Sequence, residues 1–173
     1  MKRLMLMLGL AVFGLSSCGW EDPDVPMIRA SQTYTAVLMK RSELEKSVKA
    51  MEPRALKNPG KIYHYQSYIL ISEKYEGVHI IDNSDLTKPQ AIKFIAVPGC
   101  VDMAVKGDVL YVDNAVDLVS ISIADLNDIK EIHRVKNVFP EITPPDMLEI
   151  PTEFTSANRP ENTVIIAWRE QMP

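Results

Sequence analysis

The chain of 173 residues reads as a mainly all-β protein: two four-stranded, propeller-like blades forming an incomplete β-propeller, with a short N-terminal helix and flanking strands. Three observations predict this. The stretch 61–140 aligns on itself without a gap at a shift of forty residues, the length of one four-stranded propeller blade. Each forty-residue unit carries four short strand signals separated by turn residues. The composition, 46% hydrophobic and 24% charged, is that of a globular chain, and it excludes wholesale disorder, collagen and a polytopic membrane protein. A formal net charge of −4 gives nucleic-acid binding no electrostatic support. Two cysteines are too few for a disulfide scaffold.

The first element, 1–17, reads as a secretory signal. Lys2 and Arg3 supply the positive start, and Leu4 through Leu15 form an apolar run shorter than the roughly 20 residues of a membrane-spanning helix. Leu15-Ser16-Ser17-Cys18 resembles a bacterial lipobox, in which the thiol is acylated and cleavage leaves Cys18 first. That resemblance implies a membrane attachment at Cys18, and each buried methylene of such an anchor adds roughly 0.8 kcal/mol. The mature chain would then carry 17 basic and 23 acidic residues. In the tether, 18–33, Glu21, Asp22 and Asp24 form an acidic cluster that resembles the export signal of surface lipoproteins in Bacteroidota. With Cys18 acylated, Cys100 has no partner and reads as a packed small residue.

Residues 34–60 form the lead-in. Tyr34-Thr35-Ala36-Val37-Leu38-Met39 reads as a strand. Ser42-Glu43-Leu44-Glu45 carries a capping-box pattern, with Ser42 as cap and Glu45 reciprocating. Leu44 and Val48 give one apolar stripe on a helix of two turns, ended by Pro53. Glu43, Glu45, Lys46 and Lys49 read as its solvated face.

The repeats, 61–140, follow. Ile69-Leu70-Ile71 falls on Val109-Leu110-Tyr111, Val78 on Leu118, Ile81 on Ile121, Asp85-Leu86 on Asp125-Leu126 and Ile92 on Ile132. Strands are expected at Ile62–Tyr65, Tyr68–Ser72, Val78–Asp82 and Ala91–Val97, then at Val101–Val105, Val109–Val112, Val116–Ile123 and Ile129–Val135. Gly77-Val78-His79-Ile80-Ile81-Asp82-Asn83-Ser84-Asp85-Leu86-Thr87-Lys88-Pro89 resembles the LVIVD repeat, a bacterial propeller-type repeat. Leu86 stands where that signature has its first proline, and Asp117 where the second unit would have its glycine. With the lipobox, the chain is similar to LVIVD-repeat lipoproteins of Bacteroidota. The resemblance implies a fold and an outer-membrane location, at the cell surface or the periplasmic face, and no reaction.

Residues 141–173 are a proline-rich loop (Pro144, Pro145, Pro151) and a final strand, Thr163–Trp168. Two blades cannot close a ring, so sheet edges stay open. The flanking strands at 34–39 and 163–168 are expected to add to or cap the repeat sheets, in a shortened relative of a full propeller. Edge-to-edge oligomerisation is the other solution.

Chemistry-bearing patterns are sparse. His64, His79 and His133 lie in strands without metal-ligand spacing, and there is no HExxH, CxxC, P-loop or GxGxxG. Asp82-Asn83, Asp113-Asn114 and Asp125-Asn127-Asp128 are turn residues without EF-hand spacing. Tyr63, Tyr65 and Tyr75, with Tyr68, form an aromatic group that would suit a sugar surface or cross-strand packing. The expectation is a non-enzymatic envelope lipoprotein, without cofactor or metal, acting as a binding or assembly module with a protein partner. Alternatives are a glycan-binding surface lipoprotein, a hydrolase using carboxylates such as Asp82 and Asp113, and a remnant with no role of its own.

Overall fold

The computed structural model describes residues 33–171. Strand β1 (Tyr34–Lys40) leads into helix α1 (Arg41–Leu44) and a short β2 (Lys49–Met51). The first repeat unit supplies β3 (Pro59–Tyr65), β4 (Tyr68–Glu73), β5 (Gly77–Asp82) and β6 (Gln90–Ala96). The second supplies β7 (Met103–Lys106), β8 (Val109–Asn114), β9 (Asp117–Ser122) and β10 (Lys130–Val135), and β11 (Thr163–Glu170) comes last. The strands form three open antiparallel sheets in the orders β2-β6-β5-β4-β3, β10-β9-β8-β7 and β1-β11. The fold is mostly β, as expected.

The repeat is visible in the hydrogen bonds. In β5–β6 the pairing slips one residue at Ile92, and in β9–β10 it slips at Ile132, so the two bulges stand forty residues apart. The turns between these strands match as well. Lys88 N–H donates to Asp85 O and Asp128 N–H to Asp125 O, each at 3.0 Å. The aspartate side chains close both turns by accepting from the amide two residues on. The first hairpin of each unit departs from the gapless alignment. Its two-residue turns are Gln66-Ser67 and Gly107-Asp108, forty-one residues apart, with Gln66 and Gly107 both left-handed. A three-residue β4–β5 turn against a two-residue β8–β9 turn restores the frame.

Burial reveals how the units stack. Leu70, Val78, Ile80 and Ile95 of the first sheet pack in one cluster with Leu110, Val112, Val119 and Ile121 of the second. Under the forty-residue shift, Val119 and Ile121 correspond to His79 and Ile81, which lie on the face of β5 opposite Val78 and Ile80. The sheets therefore stack front to back, and not front to front as in a sandwich. Their inner edges touch: the Tyr63 hydroxyl donates to Val105 O at 3.2 Å, and Lys61 pairs with Asp102 at 2.9 Å.

Three expectations change. Of the two arrangements expected for the strands at 34–39 and 163–168, joining the repeat sheets does not occur; β1 and β11 pair with each other along their length and cover the ends of both sheets. That ribbon packs through Ala36, Ile165 and Trp168 against Tyr75, and through Val164 against Leu44, Ala115 and Val116, below the β4–β5 and β8–β9 turns. The helix is one turn, not two. Its cap is Lys40 with no side-chain bond, because Glu45 takes Arg41 and Lys136 as ion-pair partners instead of reciprocating to Ser42. Val48 then joins the inter-sheet core while Leu44 is buried in a different cluster. The lead-in also yields β2, a fifth strand on the outer edge of the first sheet.

Candidate functional site

The densest polar chemistry lies at the end of β4, on the back of the first sheet. Glu73 is 1% exposed and fully engaged. Its Oε2 accepts from Arg54 at 2.6 Å and from His79 Nε2–H at 2.8 Å, and its Oε1 accepts from the amides of Lys57 and Asn58. Burial alone would raise its carboxyl, yet the bonds from His79, Arg54 and Lys57 outweigh it and bring Glu73 down to about 2. A carboxylate so held is an acceptor only, so His79 carries its proton on Nε2. The Phe94 and His79 rings pack tilted at 55° with centroids 4.7 Å apart, and the Arg54 guanidinium lies 3.9 Å from the Phe94 centroid. Strand pairing places these groups: His79 stands opposite Phe94 on the adjacent β6. The 52–58 segment carries Arg54 across both and closes this face.

In front of Glu73 a cleft of about 320 Å³ opens between the β4–β5 turn and β11. Tyr75, at the turn, is left-handed with φ 67°. Two backbone bonds hold it there, from Tyr75 N–H to Cys100 O at 2.6 Å and from Gly99 N–H to Tyr75 O at 2.9 Å.

The second unit has a different buried carboxylate. Asp117, in the place of Gly77, accepts two bonds from Arg41 at 2.8 and 2.7 Å, one from Arg134 and one from the Asn137 amide. Burial opposes ionisation, but those donors hold the carboxyl below its usual range. This network ties α1, β9 and β10 together, with the Asp117 side chain fully buried at its centre and Arg41 20% exposed. Among the described residues no group of three or more His, Cys, Asp or Glu converges as a metal site.

No family model, no curated protein and no solved structure matches this chain.

Of the tyrosines the sequence singles out, Tyr63, Tyr65 and Tyr68 share the inter-sheet core, with Tyr65 opposite Tyr68 across β3 and β4, while Tyr75 does not join them. Tyr65 is buried, its hydroxyl donates to Asp108 at 2.6 Å, and burial followed by that bond pushes it up to about 12. Tyr63 is half-buried at the inter-sheet seam, and Tyr68 packs on the same core. Tyr75 lies apart, packing on the β1–β11 ribbon and lining the cleft. Asp82 bonds Ser84 within its own turn. Asp113 accepts the Val101 and Asp102 amides, and burial raises its carboxyl despite them. Cys100 is buried, which pushes its thiol well up and away from reactivity. Cys18 and the acidic tether lie outside the described residues. Among the described residues no helix is long and apolar enough to cross a membrane.

Sequence reasoning missed Glu73, Arg54, Arg134 and Asp117 as a set. The available signal was an acidic residue at the end of a strand-like run: Glu73 closes Tyr68–Glu73 and Asp117 opens Asp117–Ser122.

Proposed function

We propose that this chain is a lipid-anchored envelope protein of the LVIVD-repeat kind, without catalytic activity, whose two propeller-type blades serve assembly with a partner protein. The anchor rests on the lipobox at Cys18 and the location on the acidic tether. One structural observation carries the assembly reading. In the first sheet Val78 and Ile95 are fully buried against the second sheet, and Ile92 packs on the same core. Forty residues on, the second sheet carries Leu118, Ile132 and Val135 on the matching face, also apolar, with Ile132 50% and Val135 42% exposed. Phe139, 39% exposed, borders the same apolar hollow over Tyr111 and Leu118. Front-to-back stacking thus leaves the second sheet with a docking face of the kind the first sheet uses.

The occupant is a β-sheet of another polypeptide with an aliphatic back face. A second copy of this chain does not supply one, because the back of its first sheet holds Glu73 and His79 under Arg54. The test places a photo-crosslinking residue at Val135 in cells expressing the full chain, with the same residue at Leu86, 79% exposed, as control. The expected result is one membrane-retained adduct at Val135, none at Leu86, and a crosslinked partner peptide of alternating aliphatic residues. Equal labelling at both positions, or none at Val135, overturns the reading. Cys18→Ser is expected to release the protein from membranes.

A further inference from the structure

Six charged side chains line the cleft between the β4–β5 turn and β11: Arg54, Lys57, Lys74, Arg169, Glu73 and Glu76. Four are positive in a chain whose formal net charge is −4. The two carboxylates share one arginine. Glu73 is held by Arg54, His79 and two amides, and Glu76 accepts from Arg54 at 3.2 Å. One guanidinium thus meets two carboxylates, of which Glu76 is 56% exposed, so the four cations and two carboxylates leave the cleft with a net charge of +2. Lys57, Lys74 and Arg169 have no carboxylate within salt-bridge distance among the described residues, and the Lys74 ammonium lies 5.0 Å from the Tyr75 ring centroid.

That excess of positive charge has a cost, which an anion seated between Lys57, Lys74 and Arg169 relieves. The hollow is also preorganised. Tyr75 is fixed in its left-handed turn by Cys100 and Gly99, and Glu73 is locked by four donors. Apolar side chains of β1 and β11 complete the wall, so an organic body fits better than a bare ion. About 320 Å³ is at the small end of the roughly 300–1,000 Å³ typical of ligand pockets.

We propose that this cleft binds an organic anion, a carboxylate carried on a small ring, with Lys57, Lys74 and Arg169 as its electrostatic contacts. The site is independent of the assembly face, which lies on the second sheet. The carboxylate can come from an acidic sugar or from an aromatic acid, and the experiment separates them. The detergent-extracted full chain is titrated calorimetrically with glucuronate, benzoate, glucose and inorganic sulfate. One-to-one saturation by glucuronate identifies the acidic-sugar source, and saturation by benzoate the aromatic one. Lys57→Glu and Arg169→Glu are each expected to weaken that binding about tenfold, and added salt to weaken it progressively. Lys106→Glu, an exposed control on β7, is expected to leave it unchanged. Both test side chains belong to exposed residues, and near-UV circular dichroism checks that the variants keep the parent fold. Saturation by neither carboxylate, equal binding of glucose, or parent-like binding by both variants overturns the proposal.

Discussion

At the scale of single residues, the folded chain depends on charges that it buries and pairs. Glu73 titrates near 2 in the folded state against an ordinary 4.5. The unfolded chain therefore takes up the proton first as pH falls. The stabilisation is complete above about 4.5 and is lost progressively towards 2. Glu73→Gln is expected to lower the urea midpoint strongly at pH 6 and much less at pH 3, which equilibrium unfolding at the two pH values checks. At neutral pH a loss of about 1.5–3 kcal/mol is expected, because the charged acceptor of Arg54 and His79 is removed while Arg54, 38% exposed, keeps water and Glu76 as partners. Asp117 obeys the same sign, so acid weakens both units.

At the scale of elements, turns and bulges decide the register. Gly77 opens β5 at φ 146°, and a methyl group there would meet the Ile95 carbonyl oxygen at 2.0 Å. Gly107 has φ 58° but open space around the same position. Gly77→Ala is accordingly expected to cost more than about 2 kcal/mol, and Gly107→Ala about 1 kcal/mol. Chemical unfolding of the two variants side by side measures the difference. Equal losses would show that backbone conformation, and not the contact with β6, sets the requirement at Gly77. The second unit replaces that glycine with Asp117, whose carboxylate recruits Arg41 and Arg134. One repeat position thus became a steric requirement in one unit and an electrostatic anchor in the other.

At the scale of the whole molecule, front-to-back stacking makes equivalent positions inequivalent. Ile95 is fully buried, and its counterpart Val135 is 42% exposed. Ile95→Lys is expected to unfold the protein or cost at least about 4 kcal/mol by burying an unpaired charge. Val135→Lys is expected to stay within about 0.5 kcal/mol of the parent. Thermal unfolding of both variants tests the stacking directly, since front-to-front packing would penalise them alike. The β1–β11 ribbon works at this scale too, because it spans the ends of both sheets and its Ile165 is wholly buried.

Local information was enough to read the β class, the forty-residue period and most strand positions. Alternation of apolar residues, aspartate turns and the paired bulge isoleucines at 92 and 132 are properties of neighbouring residues. Side-chain pairing was not legible in the same way. The capping-box pattern at Ser42 lost to ion pairs that Glu45 makes with Arg41 and the distant Lys136. Tyr63, Tyr65 and Tyr75 are close in sequence yet end at a seam, a core and a cleft, because strand direction and a turn separate them. The meeting of β1 with β11 joins residues more than a hundred positions apart. Sequence by itself determined the repeating strands, since their signals are periodic and local. Only the tertiary structure decided which sheet face is covered, which charges are paired and where a cationic cleft remains, because burial and electrostatics depend on contacts between distant segments.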